Sequence, residues 1–261
     1  MRNIWTIAKR EYDHYFISPI AYIVAFMVLL VIGVVFFFFG FYPYAQNAFQ
    51  NPGAVPDTSP VTGVFVFLLI FATPALTMRL ISDEARMGTL ELLLTAPLKD
   101  SELVIGKWLG SMLYILSLVA LTLIYPLMLN GIKFGSFTLL RGFVSPGIDL
   151  NVILTSYLGV ILIAGVFLAL GTGISAMFTN QIASFFASFA LFFFLWWLVG
   201  FPANAISGNG AELFRYLDMK THFYDSLMVG KIIFSDIVYY FSLIALGLFA
   251  GTVAVEMRRW K

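Results

Sequence analysis

Residues 150–201 read LNVILTSYLGVILIAGVFLALGTGISAMFTNQIASFFASFALFFFLWWLVGF, 52 positions without one Asp, Glu, Lys, Arg or His. A helix needs about 20 apolar residues to cross the hydrocarbon core of a bilayer. This stretch is too long for one crossing and sufficient for two, with Thr179, Asn180 and Gln181 as its only polar break. It reads as two spans, 150–178 and 182–201, in a tight helical hairpin. Working outward, four more apolar runs of the same kind occur at 20–41, 61–80, 109–129 and 237–255. The composition agrees: of 261 residues 61% are hydrophobic and 11% charged, and the mean hydropathy is +0.93. A soluble domain carries about a quarter charged residues. The predicted fold is therefore an all-α integral membrane protein with six transmembrane helices in one domain, and no room remains for a separate soluble domain.

The segments between the spans are short and uneven. Residues 1–19 place Ile4, Trp5, Ala8, Tyr12, Tyr15 and Phe16 at helical spacing, with Arg10, Asp13 and His14 opposite. That pattern predicts an amphipathic helix in the membrane interface. Residues 42–60 hold four prolines and one charge and read as a turn-rich loop. Ten of the 15 Lys and Arg residues fall at the termini and in the even-numbered loops, and five on the other side. The positive-inside rule then puts both termini in the cytoplasm. Residues 81–108 become a cytoplasmic segment, and 202–236 an extracytoplasmic loop.

Several functions are disfavoured by the same residues. Ion-coupled transporters carry ionisable groups within the membrane, and the six spans contain none away from their ends. There is no H-E-x-x-H, no G-x-S-x-G and no pair of intramembrane aspartates. With no cysteine and only two distant histidines, His14 and His222, no metal site is expected. A net charge of +1 offers no field for nucleic acid. The chain also lacks G-x-x-x-x-G-K-[ST]: Gly106-Lys107 and Gly230-Lys231 have neither the upstream glycine nor the following hydroxyl.

The spans do carry packing chemistry. Gly165, Ala169 and Gly173 recur every four residues, as do Gly247 and Gly251. Small residues at that spacing let helix backbones approach closely in lipid, which points to packing within the chain. Pro74 lies inside the second span between Thr73 and Thr77 and predicts a kink whose freed backbone is partly met by hydroxyls. The fifth span is dense in Phe and Trp. Its Phe185, Phe189 and Phe192, with Pro74, are candidates to line a path for an apolar cargo, and a lipid-facing belt is the alternative.

The charged remainder concentrates in one place. Nine of the 29 charged residues lie between Arg79 and Lys107, in RLISDEARMGTLELLLTAPLKDSELVIGK. Met87, Leu90 and Leu94 share a helical face, Pro97 ends that helix, and Asp100 or Ser101 can cap the next. The spacing predicts a short amphipathic helix outside the membrane, suited to pressing an apolar ridge into a partner's groove.

Glu84, then Gly88-Thr89-Leu90-Glu91-Leu92-Leu93-Leu94-Thr95-Ala96-Pro97-Leu98, then Gly106-Lys107, resembles the signature of ATP-binding-cassette (ABC) transporter permeases of type 2. The likeness is strongest to the branch that includes the gliding-motility-associated permease. It extends to Ala8-Lys9-Arg10-Glu11, Ser18-Pro19-Ile20, Thr77-Met78-Arg79, Thr179-Asn180-Gln181 and Asp236-Ile237-Val238-Tyr239-Tyr240. The resemblance implies an exporter-like permease in the bacterial cytoplasmic (inner) membrane, paired with a second permease, homo- or heterodimeric, and with two separate ATPase subunits that hold ATP and Mg2+. It implies a coupling helix in which Glu84, Met87, Gly88, Thr89, Leu90, Glu91, Leu93, Leu94 and Pro97 contact the ATPase, with Thr179, Asn180 and Gln181 near the same surface. It also implies half-inserted helices at 212–217 and 221–234. Without a large extracytoplasmic domain, recognition of a bulky external partner would use short loops or an accessory protein. The competing reading is a membrane anchoring protein that recruits a cytoplasmic partner and moves nothing.

Overall fold

The computed structural model describes residues 2–43, 59–90, 98–129, 149–205 and 208–259. Helix α1 (Arg2–Ile17) stops at Ser18, whose extended backbone (φ −80°, ψ 124°) is what a following proline requires. Pro19 then opens α2 (Pro19–Val35), which continues into a π-helical turn at Phe36–Phe41. The next elements are α3 (Ser59–Thr77), the short α4 (Ser82–Met87), α5 (Asp100–Thr122) and α6 (Ile124–Leu129). The charge-free stretch forms α7 (Leu150–Met177) and α8 (Gln181–Phe193), the latter ending in a second π-helical turn at Phe194–Leu198. Asn180 separates them, accepting a hydrogen bond from Ile182 N–H at 2.8 Å as the N-cap of α8. Short helices α9 (Pro202–Ala205), α10 (Asn209–Leu217) and α11 (Met219–Tyr224) lead through a 3₁₀ turn at Leu227–Val229 to α12 (Phe234–Arg259). Six stretches among the described residues are long and apolar enough to cross a membrane: Pro19–Phe41, Ser59–Met87, Asp100–Met128, Leu150–Met177, Gln181–Leu198 and Phe234–Arg259. The fold class read from the sequence holds.

Helix α7 is the axis of the bundle, packing against α3, α5, α8 and α12. Lipid is as apolar as any side chain, so helices join in it through close backbone approach and hydrogen bonds. Both devices converge on α7. A Cβ placed on Gly247 of α12 would lie 2.7 Å from the backbone of Ala169 and Leu170, and one on Gly173 would lie 2.9 Å from the Gly247 carbonyl oxygen. The glycine and alanine stripes seen in the sequence thus form one seam within the chain. On the other flank Gly171 abuts Thr77 of α3. Trp108 Nε1–H of α5 donates to the Gly165 carbonyl oxygen at 3.0 Å, and Tyr157 Oη–H of α7 donates to that of Thr122 at 3.0 Å.

Pro74 sits buried inside α3. Thr73 Oγ1 donates back to the Leu69 carbonyl and Thr77 Oγ1 to that of Thr73, the latter at 2.9 Å, so hydroxyls brace the helix on both sides of the proline.

Helix α1 has a protein-facing side that the sequence reading, which places the helix in the membrane interface, does not assign. Ile7, Ala8 and Tyr15 are buried, whereas Trp5 is 60% exposed and Phe16 43%. The reason is a protein contact: α1 lies on α5, where Gly106 and Gly110 leave room for it. A Cβ at Gly110 would meet Glu11 Cβ at 2.6 Å and the Ala8 carbonyl oxygen at 2.8 Å, and one at Gly106 would meet Ile7 at 2.8 Å.

At the other end of the bundle, Asp218 accepts from Lys220 N–H at 3.1 Å as the N-cap of α11. Phe223 of α11 packs over Gly159, whose absent Cβ would come within 2.7 Å of it. Gly159 lies nine residues along α7 from Leu150, so α11 reaches about 14 Å down the bundle. The second helix of the 202–236 loop is shorter than the 221–234 stretch, because it closes at Asp225 and the chain turns through Gly230 at φ +87°.

Candidate functional site

Five charged residues of the Arg79 to Lys107 stretch, Arg79, Asp83, Glu84, Arg86 and Lys107, meet at α4. Its first two backbone N–H groups lack acceptors in their own helix, as at every helix start. Ser175 of α7 supplies one: its Oγ accepts from both Ile81 N–H and Ser82 N–H at 3.1 Å. Asp83 receives Gln181 Nε2–H from the start of α8 and Arg86 at 3.1 Å, with Arg79 Nε 4.0 Å away. Arg79 in turn donates to Ser18 Oγ at 2.9 Å, at the joint between α1 and α2.

Glu84 faces the other way. Its Oε1 lies 2.9 Å from Lys107 Nζ of α5, and the same ammonium lies 3.2 Å from Glu11 Oε2 of α1. Lys107 is only 1% exposed. Arg10 approaches Glu84 Oε1 from the rim at 3.8 Å. A buried ammonium is tolerated only when paired and hydrogen-bonded, and here one ammonium binds two carboxylates from two helices. Glu84 Oε2 is buried with no hydrogen-bond partner among the described residues. Beside this triad Tyr15 donates to the Leu76 carbonyl oxygen at 3.3 Å. Burial, then the Glu11 carboxylate, push its phenol well above the usual tyrosine range, so it stays a donor. A cavity of about 790 Å³ opens between α1 and α4, with Arg10, Glu11, Arg79, Glu84, Met87 and Lys107 in its wall.

The amphipathic helix expected around Met87, Leu90 and Leu94 is interrupted. α4 ends at Gly88, which adopts φ +72°, a left-handed C-cap that glycine takes without a Cβ clash. Thr89 Oγ1 donates to the Glu84 carbonyl oxygen at 3.3 Å, satisfying an end carbonyl. Met87 and Leu90 therefore do not share a face: Met87 is 60% exposed and Leu90 buried. Glu91, Leu93, Leu94 and Pro97 lie outside the described residues. The cap of the next helix also differs from the expected Asp100 or Ser101. Lys99 occupies the N-cap, and the Glu102 carboxylate reaches back to Lys99 N–H at 3.3 Å.

Thr179 and Asn180 are exposed in the turn before α8, and Gln181 binds Asp83 directly. The 82–87 helix and the 179–181 turn, nearly 100 residues apart, thus form one surface. The fifth-span aromatics divide. Phe185, Phe189, Phe193 and Trp197 follow one another along α8 and its π turn, meeting Phe71 (5.3 Å from Phe189) and Phe67 (5.9 Å from Trp197) of α3. Phe192 points inward and stacks on Phe167 at 4.6 Å, so it and Pro74 are interior to this chain.

The pairing of Lys107 with Glu11 and Glu84 escaped the sequence reading. Its available signal was Gly106 and Gly110 flanking Lys107 at the four-residue spacing that accepts a second helix. Among the described residues no group of three or more His, Asp or Glu is arranged to hold a metal.

A search of curated proteins found no match. A family model described as ABC-2 family transporter protein matches residues 5–214, from α1 into α10. That match covers most of the sequence: the chain belongs to the ABC-2 family of transporter proteins, as a multi-pass membrane permease component of a family without an ATPase domain of its own.

Proposed function

We propose that the chain is the permease half of an ATP-driven exporter, which pairs with a second permease and is worked through α4 by two separate ABC ATPase subunits carrying ATP and Mg2+. The observation that carries this reading is the way α4 is held. Ser175 ties it to α7, Gln181 to α8, Lys107 to α5, and Arg10 with the Glu11–Lys107 link to α1. A force applied to this six-residue helix reaches four others through hydrogen bonds and ion pairs. Its exposed Met87 leads directly into the leucine-rich run at 92–94. The excess of Lys and Arg at this end supports a cytoplasmic position for it and for both termini, in a bacterial inner membrane. Charge-free spans and the half-exposed ridge of Phe185 and Phe189 suit an apolar or amphipathic cargo. The finer placement, in the branch with the gliding-motility-associated permease, rests on the quoted motifs.

The test is co-purification of an ABC ATPase with the full chain, comparing wild type with Met87→Asp plus Glu91→Arg. Leu90 is unsuitable as a probe because it is buried. The expected result is loss of the ATPase and of its stimulation, with the variant still monodisperse in detergent. Unchanged pull-down and unchanged ATPase rate would overturn the assigned contact.

A further inference from the structure

The opposite end of the bundle carries a second buried charged pair. α12 has 26 residues, so its start lies about 39 Å from Arg259, which meets Asp100 at 3.4 Å near the α4 end. At that start His222 of α11 is 7% exposed and Asp236 of α12 is 4% exposed. His222 Nδ1 lies 2.8 Å from Asp236 Oδ1, and Nε2 lies 2.7 Å from the Tyr216 carbonyl oxygen at the end of α10. A carboxylate and a carbonyl are both acceptors, and a neutral imidazole has one N–H to offer two of them. Both contacts are hydrogen bonds only when the chain of groups Asp236–His222–Tyr216 holds two protons, which leaves the pair electrically neutral. Asp236 Oδ1 also accepts from Ser235 Oγ–H at 3.4 Å, and Oδ2 is buried with no hydrogen-bond partner among the described residues, so His222 is the ionisable group in direct contact with the carboxylate.

The surroundings make this proton consequential. Asp236, Tyr239 and Tyr240 stand at i, i+3 and i+4 on one face of α12. Tyr239 Oη–H donates to the Leu217 carbonyl oxygen at 2.8 Å, and Tyr240 Oη–H to that of Met219 at 3.2 Å. The Tyr239 ring stacks on His222 at 4.2 Å, and Tyr216 meets it edge-on at 5.3 Å. The charged groups around the pair are Glu212 and Arg215 from α10, Asp225 from the turn after α11, and Asp218 and Lys220 at the α10–α11 joint. A groove of about 350 Å³ lined by Glu212, Arg215, His222, Asp225 and Asp236 gives water access to the pair.

We propose that His222 and Asp236 form a proton-bound latch that, beside the Tyr239–Leu217 hydrogen bond, fastens the C-terminal end of α10 to the start of α12, and that this end loosens when the pair loses its proton. With the proton bound, Nε2–H satisfies one of the end carbonyls of α10 that has no partner in its own helix. Without it, a nitrogen lone pair faces the Tyr216 oxygen and repels it. The latch is closed at low pH and opens as pH rises. One proton separates the states, so the closed-to-open ratio changes by at most about tenfold per pH unit across the transition.

The chain has no cysteine, so Leu213→Cys and Phe249→Cys, both at exposed positions, take nitroxide labels without further changes. Pulsed electron–electron distances are measured on the full chain in lipid nanodiscs at pH 5.5 and 8.5. One short distance is expected at pH 5.5, and a second, longer population at pH 8.5. In His222→Gln, whose amide N–H can still donate but does not titrate, the distribution is the same at both pH values. A wild-type distribution that does not change with pH, or a change that persists in monodisperse His222→Gln, would overturn the latch.

Discussion

Replacing Lys107 by methionine removes the ammonium from between Glu11 and Glu84 while keeping most of the side-chain volume. In wild type the two contacts, at 3.2 and 2.9 Å, are each worth about 5 kcal/mol of Coulomb attraction at an effective dielectric of about 20, much of it offset by desolvation. Once the lysine is gone, two carboxylates are left facing each other with no counter-charge between them. Breaking a buried pair in this way costs about 3–5 kcal/mol. The carboxylate side chains are 14% and 17% exposed, so some water reaches them and the lower end, about 3 kcal/mol, applies. At about 2–4 °C per kcal/mol for a chain of this size, the melting temperature should fall by about 6–12 °C. The assay is thermal unfolding of detergent-solubilised protein by intrinsic fluorescence, with monodispersity as the endpoint check. The triple variant Lys107→Met, Glu11→Gln, Glu84→Gln carries no charge in the triad and should recover to within about 1 kcal/mol of wild type. A fall of less than 2 °C in the single variant, or a triple variant no more stable than it, refutes the reasoning.

Gly247→Ala should cost about 3 kcal/mol or more, because its Cβ meets backbone atoms of Ala169 and Leu170 at 2.7 Å and neither can rotate away. Gly63→Ala is its control, with the nearest atom at 3.6 Å, and by helix propensity should be neutral or stabilising by up to about 1 kcal/mol; equal melting temperatures for the two would contradict the seam. Ser175→Ala leaves Ile81 N–H and Ser82 N–H without their acceptor, at about 1–3 kcal/mol each. Hydrogen exchange at these two amides should accelerate at least about tenfold, and unchanged protection would show that α4 is held by other means.

The spans and the hairpin were legible because lipid demands long apolar runs, and a run of that length has few other readings. Gly173 and Gly247 announced their role through spacing alone. The Lys107 triad did not, since Glu11 is 96 positions away and nothing local to Lys107 names its partner. Gly106 and Gly110 were present in the sequence as a spaced pair, but their use depends on α1 lying across them. The same contact selects Ile7, Ala8 and Tyr15 as the protein-facing side of α1 and leaves Trp5 exposed, free for the membrane interface. The end of α4 at Gly88 was obscured by the strong helix formers that follow it. Asp83 and Glu84, adjacent in sequence, point to different helices, which no periodicity argument could separate.

The seam between α7 and α12 has a mechanical consequence. Where Gly247 meets Ala169 and Leu170, backbone touches backbone, with no layer of rotatable side chains to let one helix slide past the other. The two therefore move as a single rod, a stator about 40 Å long. Trp108 and Tyr157 fasten α5 to it, Ser175 sets α4 at one tip, and Asp236 holds α10 and α11 at the other. Helices α2 and α8 share little of this: about a fifth of each apolar stretch is buried in the chain, against about three-quarters for α7. Those two outer helices therefore keep the most apolar surface free for lipid or for a second chain.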